Sequence, residues 1–300
     1  MILNPNSLSI TRSLVGEFQV INEYRKESVR TGVFEIQTNS QNLFVKIHNR
    51  LSRWNPEVFA YENWIPALKT FAPNLIYAFN DGTEFGIITS PVQGKTINEF
   101  HITDEKTLEK AYYKAGELLR VLHDNFEGTY FGIPSRDGTP FDKNAKTSSV
   151  DFITSSLENT LKQGYDKGLL SDNDKKLVEW SINNCDVFSE SKPVPTNWDY
   201  SPQNWMVDSN GDFTGIIDFE NMLWGIDVSS FGVVIERYTY DRPNLRQAIF
   251  EGYGLENDLK RQMEIRIISV NIAIGDIVYG SSINDSRIAS LGRNLLDSLI

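Results

Sequence analysis

Cysteine and histidine are scarce in this sequence, which has one cysteine, Cys185, and three histidines among 300 residues. A single cysteine cannot form an intrachain disulfide, and so few Cys and His side chains argue against a zinc site of the usual kind. No apolar run reaches the length of about 18 residues that a membrane span needs. The first 16 residues also lack a basic head followed by an apolar run, so they do not resemble a signal peptide. We therefore expect a cytoplasmic protein.

Basic residues are in the minority, with 29 Lys and Arg against 40 Asp and Glu, a formal net charge of −11. Nucleic acids and anionic membranes bind basic surfaces, so the charge argues against both as partners. A cationic small molecule is compatible with it. The hydrophobic fraction of 40% excludes wholesale disorder, and the length suits about two domains.

The first 90 residues have a pattern typical of strands with one helix. Short runs of alternating or apolar residues, some bounded by turn-forming residues, are typical of strands. The predicted strands are residues 32–36, 43–47, 74–79 and 85–90, the first two forming a hairpin. Residues 56–70 predict a helix that starts near Pro56, a favourable first position, and that ends or kinks at Pro66.

The rest of the chain is predicted to be mostly helical. Apolar residues recur every three or four positions from Leu108 to Leu122, behind a cap at Thr103 or Asp104. Helical patterns return at 151–165 and 174–185 and again beyond residue 228. Only residues 194–219 interrupt the helices with strands, so we expect a strand-rich lobe followed by a helical one.

Three oxygen-bearing side chains in that interruption are predicted to converge. Two short strand patterns, Trp205–Val207 and Phe213–Ile217, are joined by a turn. Asn204 precedes the first strand and Asp218 follows the second, so a hairpin would bring them to the same end. Asp199 lies in the preceding loop.

This set of residue types suits magnesium-dependent phosphoryl transfer. Carboxylate and amide oxygens are suitable ligands for Mg²⁺, which Asn204 and Asp218 could hold. Asp199 could accept the proton of an incoming hydroxyl, and the spacing D-x-x-x-x-N is that of a kinase catalytic loop. A lone aspartate more often caps a turn or ends a strand, but the whole arrangement favours a phosphoryl-transfer site.

The segment N-W-D-Y-S-P-Q-N at 197–204, followed by I-I-D-F-E at 216–220, resembles the catalytic region of the aminoglycoside phosphotransferase and choline kinase-like family. The resemblance implies small-molecule kinase activity and a bilobal, protein-kinase-like α+β fold. An antiparallel-sheet N-lobe with one main helix would occupy residues 1–90. A hinge would follow at 91–94, and a helical C-lobe with the catalytic loop and acceptor site at 95–300.

The resemblance also implies a nucleotide site with Mg²⁺ and with ATP or GTP as donor. Its expected residues are Ser28 in the phosphate loop, Lys46 on a strand, Glu62 on the helix, and Ser90 and Val92 in the hinge. Lys46 would contact the α- and β-phosphates, and Glu62 would pair with it, although Glu57 on the same stretch could serve instead. Ser90 and Val92 would hold the base through their backbone.

Two departures from the family pattern bear on function. Asn197 stands where the family usually has a histidine that orients the loop; an Asn side chain can also bind the backbone, so we expect activity. An alternative is a nucleotide-binding pseudokinase that acts as an interaction module. Ser201 replaces the lysine that protein kinases have two residues after the aspartate, which argues against a protein kinase.

The acceptor is the least determined part, and the acidic chain favours an aminoglycoside or another cationic molecule. We expect two of Trp198, Trp205 and Trp224 to be in the core, and one of them, or Tyr200, to line the acceptor pocket. Six acidic residues could form an acidic pocket or simply a solvated face: Glu220, Glu236, Asp241, Glu251, Asp258 and Asp276.

Overall fold

A five-stranded antiparallel sheet forms the first part of the computed structural model, which describes residues 5–24, 31–143 and 145–299. Helix α1 (Pro5–Val15) precedes it. The strands are β1 (Phe18–Tyr24), β2 (Thr31–Thr38), β3 (Asn42–His48), β4 (Leu75–Asn80) and β5 (Phe85–Thr89), in the order β1-β2-β3-β5-β4. The predicted hairpin is confirmed, because β2 pairs with β3 with Gly32 opposite Ile47.

Helix α2 (Leu51–Asn63) packs against this sheet and starts five residues before the predicted Pro56. Proline inside a helix removes one backbone hydrogen bond, and for that reason the sequence favours Pro56 as the first residue of the helix. The buried side chains of Trp54 and Val58 offset that loss. The α-helix ends before Pro66, as predicted for a break there, and a 3-10 helix (Ile65–Phe71) follows.

Helices dominate the second part of the chain, as predicted. They are α3 (Ile97–Phe100), α4 (Glu105–Asn125), α5 (Ser149–Asp166), α6 (Asp172–Asn183), α7 (Gly232–Arg237), α8 (Pro243–Tyr253), α9 (Leu259–Ser282) and α10 (Ser286–Leu299). Of the two candidate caps of α4, Asp104 is the one that forms, and it accepts a hydrogen bond from the Thr107 N–H. At the start of α6, Ser171 and Asp174 make a reciprocal capping box. Within the described residues, no helix is both long and apolar enough to cross a membrane.

Short strands in the second part assemble the candidate site. They are β6 (Lys95–Thr96), β7 (Val194–Asn197), β8 (Trp205–Val207), β9 (Phe213–Ile216) and β10 (Met222–Gly225). The predicted hairpin of β8 and β9 is confirmed, although β9 ends at Ile216 rather than Ile217. The Ile217 N–H donates to the Asn204 carbonyl at 2.9 Å, so the two ends of this hairpin do lie together.

The segment that joins the two parts packs directly on the β8 strand. Gly94 has a φ of +100°, and a Cβ built on it would lie 2.0 Å from the Val207 carbonyl oxygen. Only glycine fits such a close backbone approach at a positive φ. The connection after β5 is therefore fixed against the strand that follows the predicted catalytic loop.

Candidate active site

Lys46 lies at the centre of a buried group of three carboxylates. Its Nζ is 2.9 Å from Glu57 Oε1, 2.8 Å from Asp218 Oδ1 and 2.9 Å from Glu220 Oε2. The lysine side chain is only 10% exposed. Because buried charges are costly unless they are paired, this ammonium and its carboxylates are held as one unit. Strand β3, helix α2 and the segment after β9 each contribute to it.

The expectation that Glu62 pairs with Lys46 is wrong, and Glu57 takes that place. Glu62 instead meets Arg136 at 2.6 Å in a partly exposed ion pair. Both glutamates lie on α2, but they are five residues apart, which places them about 140° apart around a helix. Glu57 is buried against β3, where the Lys46 side chain is, whereas Glu62 faces the loop that carries Arg136.

Asn197 connects the two loops that carry the predicted catalytic and metal-binding residues. Its Oδ1 accepts the Asp199 N–H at 2.8 Å, and its Nδ2 donates to the Asp218 carbonyl at 3.2 Å. One amide side chain therefore orients both backbones at once. Asn197 therefore still supports the catalytic loop, although the family usually has a histidine there. This support argues against the pseudokinase interpretation.

Two neighbouring amide side chains hold Asp199 in place, one through its carboxylate and one through its backbone carbonyl. Gln203 Nε2 donates to Asp199 Oδ1 at 2.8 Å, and Asn204 Nδ2 donates to the Asp199 carbonyl at 2.9 Å. Burial raises the pKa of Asp199, and the negative charge of Asp218 raises it further. A carboxylate with a raised pKa is a better proton acceptor than an ordinary surface aspartate, which suits a general base.

The donor atoms of Asn204 and Asp218 fit a magnesium ion. The Asn204 NH₂ is used by the Asp199 carbonyl, and its Oδ1 makes no hydrogen bond to any described residue. Asp218 has a φ of +66°, a region that non-glycine residues adopt at a cost and that is enriched at functional sites. An amide oxygen and a carboxylate at one hairpin end are hard oxygen ligands of the kind that Mg²⁺ takes.

A cavity of about 640 Å³ opens between the sheet and the helical part, with Lys46 and Asp218 in its wall. Ser90 and Val92 also line it. The Ser90 N–H and Oγ both bond to the backbone of Asn74, which fixes the start of the connection. The Ser90 carbonyl and the Val92 N–H form no hydrogen bond within the described part of the chain. The predicted phosphate-loop residue Ser28 lies outside the described residues.

Two of the three tryptophans are in the core, as predicted, because Trp205 and Trp224 are buried and Trp198 is 50% exposed. Tyr200 is buried too, and its hydroxyl donates to the Ala115 carbonyl at 2.7 Å. Trp198 is therefore the exposed aromatic residue of this group, and it is the direct neighbour of Asp199 in the chain.

The acidic residues do not combine into one open acidic pocket. Glu220 pairs with Lys46, and Glu236 and Asp276 both pair with Arg237, so the three buried members already have cationic partners. The others are exposed to solvent: Asp241, Glu251 and Asp258. The six residues therefore divide into paired buried groups and solvated surface groups.

The chain matches the model of the phosphotransferase enzyme family over residues 27–265, which include every residue of the site described above. The chain belongs to this phosphotransferase family. It is a small-molecule kinase, in agreement with the resemblance in its catalytic segment. Among curated protein sequences, none matches the chain significantly.

Solved aminoglycoside phosphotransferases share the bilobal, protein-kinase-like fold. A thermostable mutant of APH(4)-Ia, in a ternary complex with AMP-PNP and hygromycin B, is 12% identical, with a TM-score of 0.75 over 97% of this chain and 96% of that one. The GDP and kanamycin complex of APH(2")-IIia is 14% identical, with a TM-score of 0.71 over 99% and 98%. The gentamicin complex of APH(2")-IIa is 17% identical, with a TM-score of 0.65 over 99% and 96%.

Two members of the buried group were not predicted from the sequence. His48 was not considered for the site, and Glu220 was considered only as one of six acidic residues. His48 Nε2 lies 2.7 Å from Glu57 Oε2 and its Nδ1 lies 4.0 Å from Glu220 Oε2. A signal for His48 was present, because side chains two apart on a strand share a face and Lys46 is two residues earlier. Glu220 follows Asp218 by two residues, and that spacing alone does not indicate a lysine partner.

Proposed function

We propose that the protein transfers the γ-phosphoryl group of ATP or GTP to a hydroxyl of a cationic small molecule, with an aminoglycoside as the favoured class. The observation that carries the proposal is that Lys46 and Asp218 meet in the wall of one cavity, while Asn197 and Asn204 connect the Asp218 segment to the loop of Asp199. In this proposal residues 1–90 form the nucleotide lobe and 91–94 the hinge. Residues 95–300 carry the catalytic loop and the acceptor site.

The base of the nucleotide would lie against the hinge. The Ser90 carbonyl can accept a hydrogen bond and the Val92 N–H can donate one, while Pro91 between them has no N–H. Adenine offers a donor at N6 and an acceptor at N1, which complements this pair. Guanine offers an acceptor at O6 and a donor at N1, the reverse order. The hinge therefore favours ATP over GTP as the donor.

The phosphates would lie at Lys46, with Asn204 and Asp218 holding Mg²⁺. Such an ion offsets the charge on the phosphate oxygens when it is bound. Lys46 has three carboxylate neighbours, so a bound nucleotide would draw the ammonium toward its phosphates and would compete with Asp218 and Glu220 for it. Glu57 on helix α2 would then remain as its partner. Ser28 would contribute to the phosphate loop.

Asp199 would act as the general base for the transfer. It would orient the acceptor hydroxyl and take its proton as the hydroxyl oxygen bonds to the γ-phosphorus and the bond to the β–γ bridging oxygen breaks. Replacing a general base costs about 10²–10⁴-fold in turnover. Asp199→Asn should therefore lose that much turnover and keep nucleotide affinity, and near-normal turnover would refute the assignment.

Trp198 would contact the acceptor. A half-exposed indole next to the proposed base offers a face to a cationic ring, and cation–π contacts with tryptophan contribute about 0.5–2 kcal/mol. The hygromycin, kanamycin and gentamicin complexes of the structural relatives support aminoglycosides as the first acceptors to test.

The test is a phosphoryl-transfer assay with ATP and Mg²⁺ against a panel of hydroxyl acceptors that includes aminoglycosides and uncharged polyols. Transfer to an aminoglycoside that fails with Asp199→Asn supports the proposal. Trp198→Ala should raise the acceptor KM about tenfold and Trp198→Phe less, with no change in nucleotide affinity. Transfer to uncharged polyols alone would overturn the choice of a cationic acceptor.

A further inference from the structure

His48 and Lys46 share one face of strand β3. Alternate residues of a strand point to the same side, so both side chains are directed toward helix α2. His48 is 2% exposed and its ring is completely enclosed. A polar group is costly to bury without a partner, so the neighbours of this enclosed imidazole decide what it does.

The two oxygens of the Glu57 carboxylate are divided between these two residues. Oε1 lies 2.9 Å from Lys46 Nζ, and Oε2 lies 2.7 Å from His48 Nε2. The imidazole is oriented so that Nε2–H does not point at Glu57 Oε2. The two atoms therefore make a close polar contact and not an aligned hydrogen bond. Oε2 forms no hydrogen bond with any other described residue. His48 is thus the only described residue in position to support that oxygen.

Lys46 supplies the positive charge of this cluster. The ligand-type atoms of His48, Glu57 and Glu220 lie within 4.8 Å of one another, an arrangement that could suit a metal ion. The Lys46 ammonium, however, is already 2.9 Å from both glutamates. The Lys46 ammonium therefore supplies the cation of this cluster, and His48 lies beside it. Any influence of His48 on a bound nucleotide is transmitted through Glu57.

We propose that His48 is a positioning residue for the phosphate anchor: it supports the second oxygen of Glu57, which in turn holds Lys46. This inference rests on the proposed nucleotide role of Lys46. When phosphates compete for the ammonium, Asp218 and Glu220 give up their contacts and Glu57 remains. Without His48, one oxygen of a fully buried carboxylate lacks a partner, and the carboxylate can turn away from Lys46.

The experiment compares three variants, His48→Gln, His48→Asn and His48→Leu, by calorimetric titration with ATP and Mg²⁺ and by thermal melting. A glutamine amide nitrogen can reach the position of Nε2, which contacts Glu57, whereas an asparagine nitrogen mimics only Nδ1. We expect His48→Leu and His48→Asn to raise the Kd for ATP about tenfold, because Glu57 Oε2 then loses its close polar neighbour inside the protein. His48→Gln should stay within about threefold of the wild type.

A merely structural histidine would give a different pattern. All three variants would then melt earlier in proportion to their disruption, with nucleotide affinity unchanged or with no advantage of Gln over Asn, and either result would overturn the proposal. If His48→Leu does not fold, the comparison of Gln with Asn still decides. The wild-type titration distinguishes failure of the proposed function from failure of the His48 inference. If the wild type does not bind ATP, both are overturned. If the wild type binds ATP and His48→Leu binds it equally well, only the inference is overturned.

Discussion

Replacing Glu57 by glutamine should weaken nucleotide binding in addition to weakening the fold. At 2.9 Å and an effective dielectric constant of about 20, the Coulomb attraction between Glu57 and Lys46 is about 6 kcal/mol, most of it offset by desolvation. A net value of about 2 kcal/mol, typical of a hydrogen bond between charged groups, is the better guide.

The loss should depend on the state of the protein. Without nucleotide, Lys46 keeps Asp218 and Glu220 at 2.8 and 2.9 Å, so the free energy of unfolding should fall by only about 1 kcal/mol. With nucleotide, those two contacts are given up and Glu57 is the remaining partner. The change in Kd reflects the difference between the two losses, about 2 kcal/mol with nucleotide and about 1 kcal/mol without it, so we expect Glu57→Gln to raise the Kd for ATP with Mg²⁺ about fivefold.

Glu62→Gln is the matched control, because it changes the same residue type on the same helix. Its pair with Arg136 is partly exposed, and exposed pairs contribute about 0–1 kcal/mol. Calorimetric titration of both variants, beside urea unfolding, measures the two effects separately. The reasoning is refuted if Glu57→Gln binds ATP within about threefold of the wild type, or if Glu62→Gln loses more affinity than Glu57→Gln.

Three further predictions concern other parts of the molecule. Asn197→Ala removes two hydrogen bonds that align the catalytic loops, so turnover should fall about 30-fold, with Asn197→His recovering part of it; unchanged steady-state kinetics in the alanine variant would contradict this. Burial lowers the pKa of His123 to about 4, so the unfolded chain takes up the proton first as pH falls below about 6.5. Urea unfolding should therefore show about 2 kcal/mol less stability from this residue at pH 5, and a His123→Gln variant with the same pH slope as the wild type would argue against it. Burial and Asp276 raise the pKa of Glu236, so the native state holds a proton that the unfolded chain releases, and stability falls as pH rises above about 4.5. Glu236→Gln should be more stable than the wild type at pH 8, and a lower melting temperature there would disprove the assignment.

Local patterns in the sequence were enough to predict the hairpin around residues 204–218 and the capped helices. Each depends on contacts within a few residues, such as the turn between β8 and β9 or the Asp104 cap of α4. The order of the motifs then identified the family. A strand-rich lobe followed by a helical one also followed from local patterns, but the protein-kinase-like packing of the two came from that resemblance, since no local pattern contains the packing of the sheet on the helices.

Residues that meet across the fold were harder to predict. The choice between Glu57 and Glu62 depends on which face of α2 turns toward β3, and neither the spacing from Lys46 nor the family resemblance gives that face. His48 and Glu220 come together only because β3 and the segment after β9 both reach Lys46. Periodicity gives the face of an element, whereas its partner depends on tertiary packing.

The central claim is a magnesium-dependent nucleotide site, and a titration of the purified protein with ATP and with GTP tests it most directly. Each nucleotide is added with and without Mg²⁺, to the wild type and to Asp218→Ala. We predict binding that requires Mg²⁺, tighter for ATP, and at least about tenfold weaker in the variant, because one oxygen ligand of the metal is lost. Failure of both nucleotides to bind the wild type, or equal binding by Asp218→Ala, would contradict the account.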